Sequence, residues 1–344
     1  MHILIDARRH EVARPITGPA FGATEVLIRY MAEALASLGH RVDVLCAEPQ
    51  EHFVSDVYWW PGQMGPRKCD LLILSDQAQT LPRFKYDKAI LWLTFSQPPL
   101  DGHERDIVRC LCLSAWHAEG FKALNPGVDT ARVKVLPPAL DMDNYNKAET
   151  SKEPHRLIWC NSPDRGLAHL MTMWPLLVEM VPDVSLSVTY NFDRYFESVQ
   201  WAHDAVAVQA WEMKHWLEHT PNVVKHGPLD RDALVREQRL ASVYAYPCDP
   251  PEAGSMAHCV SALECMAASC ICILPPIESY PTVFPDACFI DRVTDYHTWA
   301  QTIVAALTRR GDFKRTLQRG RALAEHHGLS QYRQRWKDIL EGLA

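Results

Sequence analysis

The chain has 344 residues, 47% of them hydrophobic and 22% charged, with a formal net charge of −7. That length suits two domains of about 100–200 residues, each able to bury a core without disulfide or metal staples. The charge balance disfavours a long polyanionic partner, although one basic face could still hold one, and no stretch approaches the roughly 18 uninterrupted apolar residues of a membrane span.

The opening MHILIDARRHEVARP has too short an apolar run, met at once by charges, to be a secretory signal, so the chain is expected to be cytoplasmic. The eleven cysteines show neither CxxC nor paired Cys/His metal spacing and are expected as reduced core thiols. Strand-like runs then follow at 2–7, 41–47, 70–75, 89–95, 109–114 and 133–139. Between the first two lies a helical pattern over 23–40, closed by Gly39. Gly18 and Gly22 precede it, so the N–H groups of a helix start beside Gly22 and Ala23 would offer a seat for an anion. The pattern is not GxGxxG, and a plain strand-to-helix connection reads the same. The aromatic run YWW (58–60) reads as packing in a core or between domains, with an acceptor-stacking platform as the alternative.

Residues 141–155 are polar, close on a Pro-His pair and lack apolar periodicity, which marks an interdomain linker. A second series of strands follows at 156–162, 185–191, 222–227, 243–247, 270–275 and 287–291. Helices are expected near 166–181, 197–218, 230–240, 258–268 and 295–309. Alternating strands and helices argue for α/β layers with parallel sheets, hence two Rossmann-like domains facing across a cleft, where the carboxyl ends of the strands receive ligands. Asp164 and Arg165 fall where the first strand of this series turns into its helix. A cation is unfavourable at a helix start, so an outside diphosphate explains Arg165 better than a solvated surface role, because its guanidinium donates a fork to such an anion. In CVSALECMAASCICILP (259–275), Glu264 lies just over a turn inside a small-residue helix whose first N–H groups, near Val260 and Ser261, aim the same way. A carboxylate there suits ribose hydroxyls.

Three further signals read blandly: DRD (230–232) as a helix cap, HH (326–327) as a solvated helix end, and FKRTLQRGR (313–321) as a charged helix surface. The last helix, 330–344, carries Tyr332, Trp336, Ile339, Leu340 and Leu343 on one stripe and is expected to leave the second domain and pack on the first. The domains are therefore set at 1–145 with 330–344, and 146–329.

GATEVLIRYMAEALASLGHRVDVLC (22–46), LCLSAWHAEGFKAL (111–124), VKVLPPALDMDNY (133–145), NSPDRGL (161–167), VVKHGPLDRDALVREQRLASVYAYP (223–247) and CVSALECMAAS (259–269), taken in order, resemble the GT-B glycosyltransferases, in particular the family numbered four. The resemblance implies a two-domain enzyme that moves a hexosyl group from a nucleoside-diphosphate sugar to an acceptor hydroxyl, retaining and without a metal or other cofactor. It puts Gly22, Ala23, Arg165, Glu252, Val260, Ser261 and Glu264 on the donor, with Arg165 stabilising the diphosphate and no nucleophile assigned. Thr94 and Phe95 fall on the acceptor side. The acceptor stays open among glycan, lipid-linked sugar, protein, small molecule and modified nucleic-acid base. Departures are Met256, where the family carries a first glutamate, Ser162 in place of one phosphate-binding cation, and Thr94 where many members have a histidine. They keep two alternatives open, a catalytically silent sugar-nucleotide or glycan-binding module and a sugar-nucleotide epimerase.

Overall fold

A computed structural model describes residues 1–8, 22–94, 100, 102–147, 151–199, 204–248 and 257–343. The chain divides into two compact units, residues 1–140 with 327–344, and residues 141–326.

The strands of the first unit are β1 (His2–Asp6), β2 (Arg41–Cys46), β3 (His52–Val54), β4 (Val57–Pro61), β5 (Lys68–Ser75), β6 (Lys85–Trp92), β7 (Ile107–Cys112) and β8 (Val133–Val135). They form one sheet in the order β3-β4-β2-β1-β5-β6-β7-β8, parallel throughout except where β3 meets β4. Parallel strands are covered on both faces, and Ile3, Leu4, Ile5 and Leu71 to Leu74 are accordingly fully buried. The strand expected at 89–95 begins earlier, at Lys85, because its first half (Lys85, Tyr86, Asp87, Lys88) alternates in exposure before the chain enters the core. The run expected at 133–139 stops at Val135, since Pro137 and Pro138 have no N–H for a ladder.

The β3–β4 hairpin was not legible. Ser55 and Asp56 both take positive φ, 53° and 60°, the conformation of a tight primed turn that usually carries Asn-Gly or Asp-Gly. Within it the aromatic run separates by strand alternation. Trp59 is buried in the core, and Trp60 donates its indole N–H to buried Asp43 at 2.6 Å. Tyr58 lies outside against Phe53, ring centroids 4.5 Å apart.

The helix Leu329–Glu341 groups with the first unit and packs on the helix Ala23–Ser37, with Tyr332 and Trp336 buried. The solvated helix-end reading of the HH pair holds for exposed His326 and fails for His327. His327 is buried, its Nδ1 lies 2.8 Å from the Pro138 carbonyl, and Leu140 bridges Gly328 in parallel. The returning segment runs beside residues 138–140, which shields that side chain from water.

The second unit has β9 (Arg156–Trp159), β10 (Ser185–Val188), β11 (Val223–Lys225), β12 (Val243–Ala245), β13 (Ile271–Leu274) and β14 (Cys288–Phe289). They form a parallel sheet in the order β11-β10-β9-β12-β13-β14. Where one helix was expected at 197–218, two are described, Phe192–Val199 and Asp204–His219. The segment 141–155 also departs from a plain linker. Residues Asp143–Asn146 form a short helix with Tyr145 buried, and Lys152 donates to the carbonyls of Gln238 and Ala241 at the end of the helix Arg231–Leu240. A cation is favoured there by the helix dipole. None of the eleven cysteines is in a disulfide, and nine are buried.

Candidate functional site

In doubly wound sheets ligands bind beyond the carboxyl ends of the strands where the order reverses. In the second unit that point lies between β9 and β12. After β9 the chain makes a short turn, Pro163–Arg165, and enters the helix Leu167–Met180 through Gly166 at φ 102°. A Cβ on Gly166 would stand 2.1 Å from the Pro247 carbonyl oxygen. Glycine is therefore required twice over, by φ and by contact, and the contact fixes the β9 corner against the chain leaving β12.

Arg165 sits one residue before that contact. Its Nε lies 3.8 Å from Asp164 Oδ2, with the side chain 28% exposed. Burial pushes the Cys248 thiol, just past β12, up to about 12, and the Arg165 charge is close enough to oppose the shift. Tyr195 is raised to about 12 by burial and by the Asp164 carboxylate. Tyr244, buried on β12, donates to Asn161 Oδ1 at 2.8 Å, tying the same corner to the sheet.

The crossover after β12 leads into the helix Val260–Ala267. Its N-cap, Cys259, makes no side-chain capping bond, and Ser261 is partly exposed. Glu264 is 5% exposed, and each of its oxygens accepts one hydrogen bond. Arg231 Nη1 donates to Oε1 at 2.5 Å and Gln238 Nε2 to Oε2 at 2.9 Å. Tyr145 Oη in turn donates to Gln238 Oε1 at 2.8 Å and accepts from Arg231 Nη2 at 3.1 Å. Arg231 and Gln238, seven residues apart, share one face of the helix Arg231–Leu240. The DRD stretch thus holds two roles. Asp230 caps the helix as expected, accepting from Ala233 N–H at 2.8 Å, while Arg231 reaches the site.

The first unit reverses between β1 and β5. Asp6, ending β1 and buried, accepts from Arg8 Nε at 2.6 Å, Arg8 Nη2 at 2.7 Å and Thr80 Oγ1 at 3.1 Å. Asp76, just past β5 with φ 58°, accepts from the Thr94 N–H at 2.7 Å and Thr94 Oγ1 at 2.5 Å. Gly22 is the N-cap of the helix Ala23–Ser37, and Gly22 and Ala23 are exposed. Phe95, Gly18, Glu252 and Met256 lie outside the described residues.

Sequence reasoning missed Gly166, Arg231, Gln238, Tyr145 and Asp76. Only Gly166 left a signal, a glycine directly after a cation at a strand-to-helix corner. The others are ordinary polar residues that tertiary packing alone brings to a carboxylate or a threonine.

No protein-family model matches the chain, and no curated protein matches it by sequence. Solved structures do match over its whole length. A sucrose-phosphate synthase from Thermosynechococcus elongatus is 11% identical with a TM-score of 0.73, covering 100% of this chain and 99% of that one. A trehalose-6-phosphate synthase studied for glycosyl transfer with retention is 10% identical, TM-score 0.72, with 99% of each chain covered. Anabaena HepE, solved with UDP and glucose, is 13% identical, TM-score 0.70, covering 99% of this chain and all of that one. The fold is therefore that of the GT-B glycosyltransferases, two parallel-sheet domains in one chain. Among the described residues no helix is long and apolar enough to cross a membrane.

Proposed function

We propose that the chain is a glycosyltransferase of the family-four kind that moves a hexosyl group from a nucleoside-diphosphate sugar to an acceptor hydroxyl in the cytoplasm. One observation carries the reading: the β9 corner holding Arg165 is fixed by Gly166 against the chain leaving β12, and that chain leads to the helix start and carboxylate expected of a nucleotide site. As the bond to the anomeric carbon breaks, negative charge grows on the diphosphate. Arg165 and the N–H groups near Val260 and Ser261 would stabilise that charge without a metal, and Glu264 would take the ribose. Gly22, Ala23 and Glu252 would complete the donor site. Thr94 and Phe95 would lie on the acceptor side, Thr94 acting through Asp76. The solved neighbour holding UDP and glucose and the one studied for transfer with retention support a uridine donor and a retaining course.

A thermal-shift screen of nucleoside diphosphates and their sugars tests the reading, since a ligand at 100 times its Kd stabilises by about 2.7 kcal/mol. No shift with any of them overturns it. Met256, standing where the family has a glutamate, favours a second reading as a silent sugar-nucleotide-binding module. Binding without donor hydrolysis or transfer to any offered acceptor would establish that one instead.

A further inference from the structure

We propose that Arg231, Gln238 and Tyr145 are positioning residues that aim the Glu264 carboxylate at a vicinal diol, and that they set a preference for ribonucleotides over 2′-deoxyribonucleotides. The inference rests on the reading of Glu264 as the ribose-binding group. The four side chains form a closed ring of hydrogen bonds, and its polarity has one solution. A guanidinium can only donate, so Tyr145 Oη accepts from Arg231 and must give its own proton to Gln238 Oε1. That fixes the amide with its NH2 toward Glu264 and requires the carboxylate to be an acceptor on both oxygens. No amide flip or hydroxyl rotor is left free inside the ring.

A carboxylate offers about four acceptor sites. The ring takes one on each oxygen and leaves one on each, the spacing that two neighbouring hydroxyls can fill together. Burial sharpens the readout. Gln238 is fully buried and Glu264 and Tyr145 are each 5% exposed, so hydrogen bonds made there face little competition from water. Arg231 has a second consequence. Its charge balances Glu264 at 2.5 Å, so a diphosphate attached to the same ribose would not face an uncompensated carboxylate.

Calorimetric titration of UDP, ADP and GDP, each beside its 2′-deoxy counterpart, tests this on the wild-type chain and on Arg231→Met, Tyr145→Phe and Glu264→Gln, with melting curves to establish folding. The wild type should favour the ribonucleotide by about tenfold or more, the worth of one good hydrogen bond to a charged group. Arg231→Met should bring the ratio close to one, and Tyr145→Phe, which removes a single hydroxyl, should lower it several-fold even if Arg231→Met does not fold. A purely structural role for the ring would weaken both nucleotides alike and leave the ratio unmoved. A ribose preference that is lost in Glu264→Gln but intact in the folded ring variants overturns the inference and leaves the reading of Glu264 standing. No preference in the wild type, or no binding of any of the three nucleotides, overturns both.

Discussion

The two sheets reverse their strand order in the same manner, yet their carboxyl edges are held by different means. At the β1/β5 reversal the polar groups close on one another across the loops: Asp6 is gripped by Arg8 and Thr80, and Asp76 by Thr94. At the β9/β12 reversal a close backbone approach, Gly166 against Pro247, is added to the Tyr244–Asn161 side-chain tie. The carboxylate there is drawn back among helices, and Arg165 stands at the rim more than a quarter exposed. The first edge should therefore be sensitive to loss of a hydroxyl, and the second to gain of a methyl.

Gly166→Ala is the strongest way to break that contrast. A Cβ placed 2.1 Å from a carbonyl oxygen at φ 102° forces the β9 corner away from β12, and the expected loss is about 3–5 kcal/mol, the upper end for single substitutions. Denaturant unfolding reads it as a lowered midpoint, and an unchanged midpoint would show that the contact does not shape the corner.

Glu264→Ala comes next. It removes the acceptor of both Arg231 and Gln238, and stability should fall by about 2–3 kcal/mol, with loss of nucleotide affinity of about 1.5–3 kcal/mol on the reading proposed above. If the folded variant binds nucleotide as the wild type does, Glu264 serves only the ring. Thr94→Val is the matching probe of the first unit. The backbone N–H still serves Asp76 Oδ1, so only the hydroxyl contribution is lost, about 1–2 kcal/mol, and nucleotide binding should be untouched. A fall in nucleotide affinity would mean that the two edges are not independent.

Arg165→Ala has the smallest expected effect on stability, about 0.5 kcal/mol for a partly exposed side chain. On the reading proposed above its effect should appear instead in turnover, which should drop more than the affinity for the bare nucleoside, because the diphosphate charge assigned to it there grows in the transition state. Equal losses of affinity for nucleoside and nucleoside diphosphate would remove Arg165 from the diphosphate.

Much of this molecule was legible from residue pattern. Continuous apolar runs such as ILI in β1 and LLIL in β5, bounded by polar residues, read as strands covered on both faces, and the stripe from Tyr332 to Leu343 demanded a partner surface. The cap at Asp230 was local chemistry, a side chain bonding its own backbone three residues on. The β3–β4 hairpin escaped because its turn uses Ser55 and Asp56 in a conformation that glycine usually marks.

What tertiary structure alone decided is who meets whom at the carboxyl edges. Glu264 could be placed on a small-residue helix from sequence, but not that Arg231, 33 residues earlier, and Tyr145, in a stretch that reads as linker, close a ring with it. Nor could the sequence tell that Thr94 spends its hydroxyl on Asp76, or that His327 is buried beside Pro138. The reason is physical. Strand and helix periods repeat within a few residues and follow from burial of one face or both, whereas a buried polar side chain takes whatever donor the crossover connections bring to it, and the order of strands in a sheet is not written in any one segment.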